Sequence, residues 1–77
     1  MNALRKPVYR FPRPQFVYDN IHSMKQIRIA NKLSLGDVSR DTLIPAVLLD
    51  DWENNLRYPS KINYNKLAAF FEWEIWN

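Results

Sequence analysis

Seventy-seven residues allow one small domain, whose core is marginal without a staple. There is no cysteine, so neither a disulfide nor a thiolate metal site is available, and no cofactor or metal is expected. The net charge of +3 is unevenly placed: residues 1–18 hold Arg5, Lys6, Arg10 and Arg13 and no acid, whereas residues 19–77 hold seven basic against eight acidic side chains, a balance of −1.

The first eighteen residues, MNALRKPVYRFPRPQFVY, read as an extended basic arm, and residues 19–77 as the folded domain. Pro7, Pro12 and Pro14 exclude a helix interior there. Val8, Tyr9, Phe11, Phe16, Val17 and Tyr18 suit short extended pieces, either docked on the body or free to meet a partner. No apolar run reaches membrane-spanning length, and Arg5 and Lys6 are not followed by an apolar stretch, so neither a membrane partner nor a signal peptide is expected.

Asp19 or Asn20 caps a first expected helix over about residues 20–32, with Ile21, Met24, Arg28 and Asn31 at helical spacing. Ser34 caps a second helix that runs to about Asp41, with Asp37 as the capping-box partner. Pro45 opens a third that ends near Asn54, and Asn55 suits a left-handed closing residue. Leu49 and Trp52 turn inward, while Val47, Asp50, Asp51 and Asn54 form an outward stripe. Ser60 caps a fourth helix with Tyr64, Leu67, Ala68 and Phe71 on one face. The tail, FEWEIWN, alternates apolar and acidic residues, as a short strand or a frayed helical end would; if a strand, PVYRF is its pairing candidate.

Ile27-Arg28, Leu33-Ser34, Trp52-Glu53-Asn54, Pro59-Ser60 and Leu67-Ala68 stand in order without a gap. With that set, residues 24–73 resemble the Cro/repressor-type (XRE) helix-turn-helix family. The resemblance implies a mainly α, compact domain of four to five helices, in a cytoplasmic protein of a bacterial or infected host cell. It also implies a structural ion pair, Arg28 with Glu53, joining the first helix to the end of the third.

The departures from the family pattern fall in the reading motif. Leu43 stands where the tight turn has glycine, and leucine disfavours positive φ, so a reshaped or longer turn is expected. Ser39 stands where a small alanine packs. Ala46, Val47 and Leu35 replace the hydrogen-bonding residues that reach base edges. Asp50 and Asp51 follow, and Pro45 to Trp52 contains no Lys or Arg, whereas DNA affinity rests on cations that release counterions. The resulting expectation is a small prokaryotic or phage transcription regulator that acts mainly by protein contact. By analogy within the family, its partner is the host RNA polymerase, with initiation or termination modulated.

The expected protein-binding residues are Arg5, Lys6, Tyr9, Arg10, Phe11, Arg13, Val47, Asp50 and Asp51. The alternative is a Cro-like repressor that holds phosphates with Asn54, Arg57 and Lys61 and dimerises through Phe70 to Trp76. A third reading is single-strand or RNA binding by Tyr9, Phe11, Phe16 and Tyr18 beside the arginines. An enzyme acting on a small-molecule substrate is not expected. His22, the only histidine, reads as an exposed residue of the first helical turn, and Asp50 and Asp51 diverge on a helix and suit no metal.

Overall fold

The computed structural model describes residues 12–77. Within them the chain forms four α-helices: α1 (Gln15–Ala30), α2 (Leu35–Thr42), α3 (Ala46–Glu53) and α4 (Lys61–Phe71). There is no strand among the described residues. α2 packs on both α3 and α4, and α1 lies against α3. The core between them is Val17, Ile21, Met24, Val38, Ile44, Leu49, Trp52, Tyr64, Leu67 and Ala68.

α1 starts earlier than the expected residue 20 and crosses the border drawn between arm and domain. Pro14 is its N-terminal cap residue, and the Pro14 carbonyl accepts from the Val17 amide at 3.0 Å. Proline ahead of the first turn leaves the helix free to begin, and Val17, Ile21 and Met24 then fall on one buried stripe. Asp19 and Asn20 are therefore not caps. Asp19 accepts from the Gln15 amide at 3.0 Å, and Asn20 donates to the Tyr64 hydroxyl at 3.0 Å. Phe16 and Tyr18 are helical rather than extended. Phe16 packs on Tyr64 with centroids 6.2 Å apart, and Tyr18 meets Tyr58 edge-on at 5.0 Å. His22 lies in the middle of α1, exposed, with its Nε2 2.7 Å from the Tyr58 hydroxyl.

α2 has the expected capping box. Ser34 accepts from the Asp37 amide at 3.0 Å, and Asp37 accepts in return from the Ser34 amide at 2.8 Å. These bonds, with the Arg40 side chain, hold the Asp37 carboxyl below its ordinary value of 3.8. Ser60 caps α4 by accepting from Asn63.

The tail is neither strand nor helix. Glu72 takes a left-handed conformation, φ 63°, and turns the chain back over α4. Asn65 then does the work of a partner strand, donating to the Trp76 carbonyl and accepting from the Trp76 amide, both at 2.8 Å. The Tyr64 hydroxyl donates to the Glu74 carbonyl at 2.7 Å. Trp73 stacks on Phe71 at 4.8 Å and on Tyr64 at 5.9 Å. Side chains thus satisfy the Glu74 and Trp76 carbonyls and the Trp76 amide, groups a strand would have paired. The expected partner, PVYRF, lies outside the described residues.

The ion pair implied by the family resemblance is present. Arg28 Nε donates to Glu53 at 2.7 Å and a second guanidinium nitrogen donates to the same carboxylate at 3.0 Å. A third bond, 2.8 Å, reaches the Leu33 carbonyl between α1 and α2. The side chains are only 12% and 3% exposed. The hydrogen bond to Glu53 raises the Arg28 pKa, burial opposes it, and the charges of Glu53 and Asp50 add to the rise.

Two predictions arise from this frame. Arg28→Met leaves the Glu53 carboxylate buried and unpaired, and should cost about 3–5 kcal/mol in urea unfolding. Replacing both partners with apolar residues of similar volume should recover most of that loss. The second concerns alkali. Burial pushes the Tyr64 phenol above its ordinary value of 10.0, the Asn20 bond opposes this, and the Glu74 charge reinforces it. The folded value exceeds the unfolded one, so Tyr64's contribution is complete below pH 10 and is lost as pH rises through the folded value. Unfolding midpoints measured across that range should fall, and fall less in Tyr64→Phe.

Candidate functional site

The connection between α2 and α3 is Leu43, Ile44 and Pro45. Ile44 is buried, and its amide is held by the Thr42 hydroxyl at 3.3 Å. Thr42 in turn donates to the Val38 carbonyl at 2.7 Å. Leu43 is neither reshaped nor skipped. It takes the left-handed conformation that glycine would take, φ 62° and ψ 26°, and its amide closes α2 on the Ser39 carbonyl at 2.8 Å. The expected longer turn is thus corrected: the short turn is retained, because the core contact of Ile44 and the bonds of Thr42 hold the backbone against the side-chain penalty.

That penalty is about 1–2 kcal/mol for a residue with a Cβ. Leu43 gains little packing in exchange, being 81% exposed. Four residues on, in the first turn of α3, Val47 is 66% exposed. Ala46, Asp50 and Asn54 are also exposed, while Leu49 and Trp52 are buried as expected. Val47, Asp50 and Asn54 therefore line the outer side of α3 at helical spacing, and Leu43 is exposed in the turn that precedes the helix.

The expected outward stripe needs one correction. Asp51 is half-buried rather than outward, because Arg57 from the following loop pairs with it at 3.1 Å. Their side chains are 19% and 59% exposed. Asp50 has no such ion-pair partner among the described residues. Both carboxylates sit in the last turn of α3, at the negative end of its dipole, and that turn has no basic residue. Arg57 offsets this for Asp51, and the buried Arg28 does so partly for Asp50.

Charge over the α2–turn–α3 unit sums clearly to one sign. Residues 34–56 contain one base, Arg40, and five acids, Asp37, Asp41, Asp50, Asp51 and Glu53, a balance of −4 that the pairing of Glu53 with Arg28 and of Asp51 with Arg57 reduces to −2. Arg40 is itself engaged, 2.9 Å from Asp37 and 3.9 Å from Asp41. The residues proposed as phosphate holders each have an internal contact and remain exposed. Arg57 is on Asp51, the Asn54 amide donates to the Asp50 carbonyl at 3.0 Å, and the Lys61 ammonium lies 6.0 Å from the centre of the Trp76 ring. A polyanion meets repulsion on this side of the molecule.

Arg13 belongs to a different place. Its guanidinium donates twice to the Pro59 carbonyl, at 3.3 and 3.2 Å, and lies over the rings of Tyr58 and Trp76. The structure thus brings Val47 and Asp50 together on one face and sets Asp51 at its edge, while Arg13 anchors the start of the domain to the loop before α4. Arg5, Lys6, Tyr9, Arg10 and Phe11 lie outside the described residues. Phe16 and Tyr18 are packed against the body, which removes them from the stacking platform imagined for single strands. Leu43 is the site residue that sequence reasoning noticed without assigning to the surface; the signal was a β-carbon where the turn wants none.

Among the described residues no group of three or more His, Asp or Glu side chains could hold a metal ion. None of the described helices is long and apolar enough to cross a membrane. No protein-family model, curated protein or solved structure matches the chain.

Glycine at position 43 relieves the left-handed strain, less the about 0.4–1 kcal/mol of extra unfolded-chain entropy it brings. Leu43→Gly should therefore stabilise the domain, by about 0.5–1 kcal/mol in chemical denaturation. A loss of stability would mean that the leucine side chain supports the fold.

Proposed function

We propose that this chain is a small transcription regulator of the helix-turn-helix type that works mainly by protein contact, with bacterial RNA polymerase as the partner and initiation or termination as the step it modulates. Three features support the scaffold: four helices in the order the resemblance implies, the capped α2, and the bidentate Arg28–Glu53 pair. One observation carries the mode of action. Of the four non-glycine residues with positive φ among the described residues, Leu43 is the apolar one, and it is exposed in the turn before a helix whose outer side carries exposed Val47 and Asp50. A residue that breaks a local folding rule on the surface is best explained by what it touches.

Apolar side chains edged by a carboxylate suit a protein partner carrying apolar and basic groups. The negative balance that remains on the α2–turn–α3 unit, −2 once Arg28 and Arg57 are counted with their partners, disfavours phosphate at that face. Arg5, Lys6, Tyr9, Arg10 and Phe11 supply the other half of the proposed contact, as cationic and aromatic anchors. The polymerase itself is assigned by analogy with small prokaryotic and phage regulators.

A pull-down from nuclease-treated bacterial lysate, read by mass spectrometry, tests this reading. Polymerase subunits should be recovered near stoichiometry with the tagged full chain. Recovery only when DNA is left intact, with binding to duplex that falls steeply with salt, would replace this reading with the repressor.

A further inference from the structure

The ends of α1 and α4 meet at a groove of about 390 Å³, lined by Ile27, Asn31, Leu33, Phe70, Phe71 and Glu72. That volume falls within the range of small-ligand sites. None of the lining residues belongs to α3. The walls are held without a ligand. The Asn31 side-chain amide donates to the Ile27 carbonyl at 2.7 Å, and Arg28 donates to the Leu33 carbonyl at 2.8 Å. Phe70 meets Phe71 edge-on and Phe71 stacks on Trp73, each with centroids 4.8 Å apart.

The polarity of the groove has one sign. Asn31 is the closing cap residue of α1 and Glu72 that of α4, so the negative ends of two helix dipoles converge where both residues line the groove. The last turn of α4 holds no base, and Arg28 in the last turn of α1 is committed to Glu53. Glu72 is exposed and makes no ion pair among the described residues. With its amide nitrogen on Ile27, Asn31 offers its side-chain oxygen as an acceptor. Lys32 and Lys66 adjoin lining residues in sequence and helical spacing, but neither lines the groove. The aromatic walls attract cations as well, through the negative faces of Phe70 and Phe71.

We propose that this groove binds a small organic cation, an ammonium carried on an aromatic or alkyl body. The body packs on Ile27, Leu33, Phe70 and Phe71, and the ammonium sits beside Glu72. The site does not depend on the function proposed above.

The test is a titration of 2-phenylethylammonium into the nitrogen-15-enriched full chain, followed by amide spectra. The same titration with 2-phenylethanol and with 3-phenylpropionate supplies a neutral and an anionic ligand of similar body. Saturable shifts are expected at Asn31, Leu33, Phe71 and Glu72, with the ammonium binding most tightly and the carboxylate least. Glu72→Gln, at an exposed position, should weaken ammonium binding about two- to fivefold and leave that of the alcohol unchanged. Asp50→Asn removes the same charge from α3 and should alter neither. Equal affinity for ammonium and alcohol, shifts centred elsewhere, or no shift at millimolar ligand overturns the proposal. Equal weakening by Asp50→Asn also overturns it, because the effect then belongs to net charge and not to the groove.

Discussion

One guanidinium joins three parts of the chain. Arg28 reaches Glu53 at the end of α3 with two nitrogens and the Leu33 carbonyl, between α1 and α2, with a third. With Glu53 only 3% exposed, neither charge can lose the other without a large desolvation cost. The pair fixes the C-terminal end of α3 against α1, while Leu49 and Trp52 bury its inner side. A domain of this size has a total stability of only about 4–12 kcal/mol, so this one contact bears on whether α3 is presented at all. Its outer side is left free to serve something other than folding.

That division explains the contrast along α3. Its inner and closing residues obey the rules of a stable helix in a packed core. Its outer and opening residues do not: Leu43 holds a left-handed turn with a β-carbon, and Asp50 and Asp51 sit toward the negative end of the dipole. Arg57 compensates one carboxylate and leaves the other exposed. Each departure lowers stability slightly; Lys32 and Glu72 hold positive φ elsewhere in the domain, but Leu43 is the apolar residue that does so. In a DNA reader the outer side of α3 would be turned to phosphate, and here its charge is of the wrong sign.

The sequence made the body of the domain legible and the two ends much less so. Ser34 with Asp37, Ser60, and Asn55 at φ 61° were readable because capping depends on chemistry within three or four residues. Arg28 and Glu53, twenty-five residues apart, were readable only through a family resemblance. The start of α1 was misplaced because three prolines suggested an extended arm, whereas Pro14 stands just ahead of a helix. The tail misled because alternation reads as a strand, and nothing local announces that Asn65, on α4, supplies the bonds of a missing neighbour. On the candidate face, the inward and outward assignment of α3 followed from helical periodicity. The tie between Asp51 and Arg57 did not, since it depends on how the loop folds back.

The central claim is that the exposed face of α3 is shaped for a protein partner at some cost to folding. Binding of the full chain to purified bacterial RNA polymerase, measured by interferometry beside chemical denaturation, tests it with wild type and Leu43→Gly. The account requires the two quantities to move in opposite directions, with a more stable variant that binds more weakly. A more stable variant with unchanged affinity would contradict it, and would reduce Leu43 to a strained residue without a partner.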